Sequence, residues 1–165
     1  MRAYAAARLS DRPSVQEGSA LTDRLDDALA AKIVQSLRSR RHHFMVRRRG
    51  TLHAVDMFLS HSNAAQAQAD ALALRIVELQ GEPGFTPSML NREGDDSFES
   101  YYVVDMARED LEAARKINRI FHEILLSIGP NDPATRRLIL GILNKDKVRS
   151  KELSALMASL GRVGG

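Results

Sequence analysis

The stretch from Leu52 to Pro83, LHAVDMFLSHSNAAQAQADALALRIVELQGEP, leaves few folds open. Phe58, His61, Ala65, Gln68, Leu72, Ile76 and Leu79 follow one another at steps of three and four, the spacing that places side chains on one face of a long helix. Gly81 and Pro83 then stop it. A stripe this long must be buried against other helices, so the stretch implies a bundle. Halfway along, the stripe turns from large apolar residues to Ala65 and Gln68, a methyl group and an amide on the same face.

The rest of the chain fits a bundle. It has 165 residues, 44% hydrophobic and 27% charged, enough for one domain with a sizeable core. Aromatic residues make up only 5% and tryptophan is missing, while Gly and Pro gather between periodic segments. That profile implies an all-α protein. No apolar run approaches the roughly 20 residues of a membrane span, and no signal-peptide core opens the chain. The expectation is a soluble, cytoplasmic protein without a membrane partner. With no cysteine, disulfides, thiolate metal sites and cysteine nucleophiles are all excluded.

Residues 1–20 carry Arg2, Arg8, Arg12, Pro13 and Gly18 without periodicity and read as a flexible arm. Residues 21–160 read as the bundle, and 161–165 as a tail. Thr22 is the expected N-cap of a first helix reaching about Arg48, with Leu25, Leu29, Lys32, Ser36 and His43 on one side. A short break at Gly50 makes the second helix antiparallel to the first. The segment GEPGFTPSMLNREGDDSFES, residues 81–100, has no period and reads as a long crossover between helices 2 and 3. Such a crossover allows up-down-down-up order, with the third helix parallel to the second. That third helix, from about Tyr101 to Ile128, carries Val103, Ala107, Asp110, Ala114, Ile117, Phe121 and Leu125 inward. The fourth starts at Asp132-Pro133 and carries Thr135, Ile139, Ile142, Asp146, Arg149, Leu153, Leu156 and Leu160.

Every one of these stripes loses its apolar character near mid-length. At about 1.5 Å per residue, Lys32, Ala65 with Gln68, Ala114, and Asp146 with Arg149 meet at one level. In di-iron carboxylate bundles that level holds the metals, on Glu and Glu-x-x-His ligands. Here the residues offer one carboxylate against two fixed cations, which repels a metal. Burial of those charges requires pairing, so Asp146 is expected between Lys32 and Arg149, with Gln68 satisfying leftover donors. A single Lys or Arg on a seam ordinarily snorkels to solvent; four helices turning polar at one level argue for the internal pair.

The sequence resembles the ferritin-like superfamily, in its bacterioferritin-type (ferritin/Dps-like) branch, over about Leu21 to Leu160. ADALALRIVELQGEPGFTP, MAREDLEAARKI and DPATRRLILGIL carry the likeness. The resemblance implies a ferritin-like four-helix bundle, iron storage and oligomeric assembly. It also implies Glu at Lys32 and Ala114, Glu-x-x-His at Ala65 and Gln68, and Glu-x-x-His at Asp146 and Arg149. None of the six positions keeps the family residue. The haem-ligating Met of bacterioferritins would fall at Gln66, so that ligand is lost too. No cofactor is therefore expected, although the family would use iron.

A second constellation is RSRRHHFMVRRR, with Arg38, Arg40, Arg41, Arg47, Arg48 and Arg49 and no acid. It reads either as an anion or nucleic-acid patch or as a solvated helix end favoured by the dipole. Lys145, Lys147 and Lys151 form a weaker basic group. Of the histidines 42, 43, 53, 61 and 122, only His61 lies one turn from the polar level on its stripe. Three functions follow: a non-catalytic structural or companion subunit, an iron store oxidising at another site, or a Dps-like nucleic-acid binder. The first is favoured, as a homo-oligomer or a hetero-oligomer with an active ferritin-like paralogue.

Overall fold

The computed structural model describes residues 15–48, 51–88, 100–130 and 132–163. They form α1 (Val15–Val46), α2 (Leu52–Glu78), α3 (Val103–Ser127) and α4 (Pro133–Val163). Local chemistry accounts for the ends. Thr51, in extended conformation, accepts the Ala54 amide on its hydroxyl at the start of α2. Asp132 accepts the Thr135 amide at 2.9 Å, and Pro133 opens α4 where a missing N–H costs nothing.

Two expectations about ends need correction. The first helix begins at Val15, not at Thr22; Gln16, Glu17 and Ala20 are good helix formers, and one Gly costs only about 1 kcal/mol. At the end of α2 the left-handed residue is Gln80, with φ 64, rather than Gly81. The amides of Gln80 and Gly81 close back on the Val77 and Ile76 carbonyls at 2.9 Å, a Schellman turn. Gly81 is needed for closeness instead: a Cβ there would stand 2.9 Å from both Ile76 Cγ2 and Thr22 Cγ2. The arm up to residue 14, Gly50, the crossover from 89 to 99 and the last two residues lie outside the described residues.

Side-chain pairs fix the topology. His43 meets Val55, and Ser36 meets Ser62, so α1 and α2 are antiparallel. Arg24 reaches Glu123 while His42 reaches Glu109, so α1 and α3 are antiparallel. His61 pairs with Glu152 and Arg75 with Asp132, which makes α2 and α4 antiparallel. Hence α2 and α3 are parallel, and the chain between them must travel the length of the bundle. This is the ferritin-like order expected from the sequence.

The core falls into two parts. One packs Leu25, Leu29, Leu72, Ile76, Ile117, Phe121, Ile139 and Ile142. The other packs Val46, Met57, Phe58, Met106, Leu153 and Leu156. Full burial of each such side chain contributes about 1.5–3 kcal/mol. Between the two clusters buried polar residues gather with small apolar ones such as Ala65 and Ala114, and α1 spans that belt from Lys32 to His43. Among the described residues no helix is long and apolar enough to cross a membrane.

Candidate functional site

The polar belt starts with the level the sequence singles out. Lys32, 0% exposed, comes from α1 and is among the largest fully buried side chains. Its Nζ donates to Asp146 Oδ2 on α4 at 2.6 Å and to Gln35 Oε1 at 2.8 Å. Asp146 Oδ1 accepts Arg149 Nη1 at 2.8 Å and Gln68 Nε2 at 3.2 Å. Arg149 Nη1 also reaches Gln68 Oε1 at 3.3 Å. Helix α3 contributes no hydrogen bond here, only the Phe121 ring, whose centroid lies 5.4 Å from the ammonium. Ala65 and Ala114, both buried, supply methyl groups. Lys32, Gln68, Asp146 and Arg149 therefore meet at one level, with the carboxylate between the two cations and Ala114 lining the space beside them.

Burial dominates the electrostatics. It lowers the Lys32 ammonium to about 8, against the pull of Asp146, and the nearby Arg149 charge lowers it further. Arg149 is lowered as well, chiefly by burial. The level does not fit iron. A ferrous pair needs carboxylates and imidazoles, and its positive charge needs their negative charge. Here the positions present two methyl groups, an amide, two cations and a carboxylate whose acceptor directions are already directed at three donors. Among the described residues no group of three or more His, Cys, Asp or Glu is arranged to hold a metal ion.

One to two turns further along lies a second polar level, whose Ser36, His61 and Asp110 the sequence places on inward faces but whose Ser39, His42, Ser62, Glu109 and Glu152 it does not single out. Ser39 donates to Asp110 Oδ2 at 2.8 Å, joining α1 to α3. The His42 ring, fully buried, has Nε2 at 3.1 Å from Glu109 and Nδ1 at 3.3 Å from Asp110 Oδ1. That last contact is close enough for an ion pair but misdirected for a hydrogen bond, and both atoms are left unpaired. We count it as an electrostatic neighbour only. His61 Nε2 lies 2.7 Å from Glu152, joining α2 to α4. Ser36 and Ser62 exchange bonds between α1 and α2. A signal was present: Gln35, Ser39 and His42 continue the inward face of α1 at steps of three and four beyond Lys32.

The arginine run does not form one open face. Arg38 is buried. Arg40 donates to Asn63 at 2.7 Å, and Arg41 reaches the Ser100 carbonyl at 3.4 Å. Only Arg47 and Arg48 stand exposed, and Arg49 lies outside the described residues. Amphipathic geometry explains the split, because consecutive residues of a helix point about 100° apart. Lys145, Lys147 and Lys151 are exposed. Gln66 bonds Asp70 one turn away on the outer side. His43 bonds the Val55 carbonyl, His122 the Asn118 carbonyl, and His53 is exposed.

Comparison with known proteins places this geometry. The ferritin-like domain family matches residues 22–163. A dodecameric thioferritin, the bacterioferritin-related protein of Bacteroides fragilis, superposes with a TM-score of 0.80 at 19% identity, covering 89% of either chain. An archaeal Dps homologue from Halobacterium salinarum gives 0.78 at 21% identity, over 95% of this chain and 91% of that one. A mutant Dps1 from Mycobacterium smegmatis gives 0.78 at 17%, over 88% and 99%. Comparison with curated proteins finds no match.

Proposed function

The chain belongs to the ferritin-like family, and from that premise we propose that it is a ferritin-fold subunit in which an internal ion pair replaces the di-iron centre. It then serves structurally in the iron-storage family, in a homo-oligomeric shell or beside an active paralogue. The observation that carries this reading is Asp146, the one carboxylate of the level, bonded at once by Lys32, Arg149 and Gln68. A metal entering there would have to displace an ammonium and a guanidinium from a site 0% and 2% exposed at Lys32 and Asp146. Both displaced cations would be left buried beside it, at a cost of several kcal/mol each. Assembly is supported by the Bacteroides fragilis protein, which is dodecameric.

The test is ferrous oxidation by the purified, assembled protein. Added Fe(II) is expected to oxidise at the rate seen in buffer, since among the described residues no group of three or more His, Cys, Asp or Glu is arranged to hold a metal ion. A saturable fast phase at about two irons per chain would overturn the reading.

A further inference from the structure

The middle level has one carboxylate bonded to its two cations. Asp146 bonds both Lys32 and Arg149, Glu152 adds its attraction to Arg149, and α3 offers a ring and the Ala114 methyl. The second level is richer in carboxylates, with Asp110, Glu109 and Glu152 as neighbours of His42 and His61. Between the levels is a small cavity of about 10 Å³ lined from all four helices, by Gln35 and Ser39, His61, Asp110 and Ala114, and Asp146 and Arg149. That volume suits a single water rather than any larger ligand. Its wall carries a buried polar group in need of a partner: Asp110 is 2% exposed, and its Oδ1 has no hydrogen bond.

We propose that this cavity is a binding site for one ordered water, which donates to Asp110 Oδ1 and accepts from the Arg149 guanidinium, joining the two polar levels across the Ala114 methyl. Asp110 then adds a further negative charge to the surroundings of Arg149, one water away. The bridge gives α3 its hydrogen-bonded link to the middle level. Lys32, Asp146, Arg149, Asp110 and Ser39 become one hydrogen-bonded chain through the bundle. The alanine at 114 is what leaves the room. A water in such a place needs two to four polar partners, and Asp110, Arg149, Ser39 and His61 all line the space.

The test is a high-resolution crystal structure of the unaltered full chain, with the Ala114→Val variant beside it. Density for one water within hydrogen-bond distance of both Asp110 and Arg149 is the expected result. Arg149 bonded straight to Asp110, His42 turned to satisfy Asp110, or a cavity without density would each overturn the proposal. Ala114→Val pushes two methyl groups into the cavity and should expel the water, lowering the unfolding midpoint by roughly 5 °C. A raised midpoint, the result of filling a dry apolar hole, would also overturn it. The crystal structure needs no altered chain, so a poorly folding variant leaves the question decidable.

Discussion

Two cation–carboxylate clusters tie α4 to its neighbours, one in the middle of the bundle and one at its end, and they treat their charges in opposite ways. In the middle, Lys32 and Asp146 are 0% and 2% exposed. Burial there outweighs the pair's attraction, and the ammonium falls to about 8. At the end, the Arg75 and Asp132 side chains are 15% and 20% exposed. Burial pulls the Arg75 guanidinium down, but its bonds to Glu78 and Asp132 more than offset this and it is raised. Burial likewise pushes Asp132 up, yet Thr135 and Arg75 hold it below the ordinary carboxylate value. The same chemistry therefore stabilises where water still reaches it and is a net burden where water does not. The middle cluster is useful for register: its bonds form only when α1, α2 and α4 are aligned at Lys32, Gln68 and Asp146.

The largest effect tests that contrast directly. Asp146→Ala leaves two buried cations without a counter-charge and should cost on the order of 3–5 kcal/mol. Replacing Lys32, Asp146 and Arg149 together by Met or Leu should cost far less, or stabilise, because an apolar core of similar volume avoids the desolvation penalty. Chemical denaturation of both variants decides it. A nearly silent Asp146→Ala would mean that the network carries no energy.

The next effect is a pH dependence whose slope has the same sign at the two clusters, relieving a burden at one and preserving a stabilisation at the other. Lys32 titrates near 8 folded and 10.5 unfolded. Between those values the unfolded chain binds more protons, so this residue's contribution makes stability rise with pH, by on the order of 2–3 kcal/mol in all. Lys32→Met should abolish the rise. Asp132 shifts the same way but from the stabilising side: its pKa is lowered from 3.8, so its contribution is present above that value and is lost as pH falls through the folded value. Thermal unfolding from pH 7 to 10.5 reads the first, and from 5 to 2 the second. At the end cluster itself, Asp132→Ala removes a helix cap and the Arg75 partner together, and should cost about 1–2 kcal/mol.

The helices and their inward faces were legible because burial imposes a period on the sequence. Phe58 to Ile76 on α2 and Ala107 to Phe121 on α3 are buried at the expected positions. The meeting of Lys32, Asp146 and Arg149 was legible for a similar reason, since each inward stripe turns polar near the middle of its helix. Gln35, Ser39 and His42 were not singled out, because a polar residue near the end of a stripe looks the same whether it bonds across the bundle or reaches solvent. The arginine run misled in the other direction. Sequence adjacency made one patch of residues that the helix and its end separate, Arg38 buried within α1 and Arg48 exposed beyond it.

That leaves Arg47 and Arg48, where the smallest effect on folding is expected. They follow the end of α1 at Val46, are exposed, and touch neither cluster. Cations past a helix C-terminus gain only a few tenths to about 1 kcal/mol from the dipole. Arg47→Glu with Arg48→Glu should therefore cost no more than about 1 kcal/mol, a shift of a few degrees in unfolding midpoint. Mass in solution and retention of DNA at low salt are the informative readings, because an exposed basic pair acts on a charged partner through steps that salt screens. A changed mass would place the pair at a contact between copies of the chain. Lost retention with unchanged mass would place it on a polyanion instead. If neither changes, the two arginines are a solvated helix end, and the functional charge of this protein is the charge it buries.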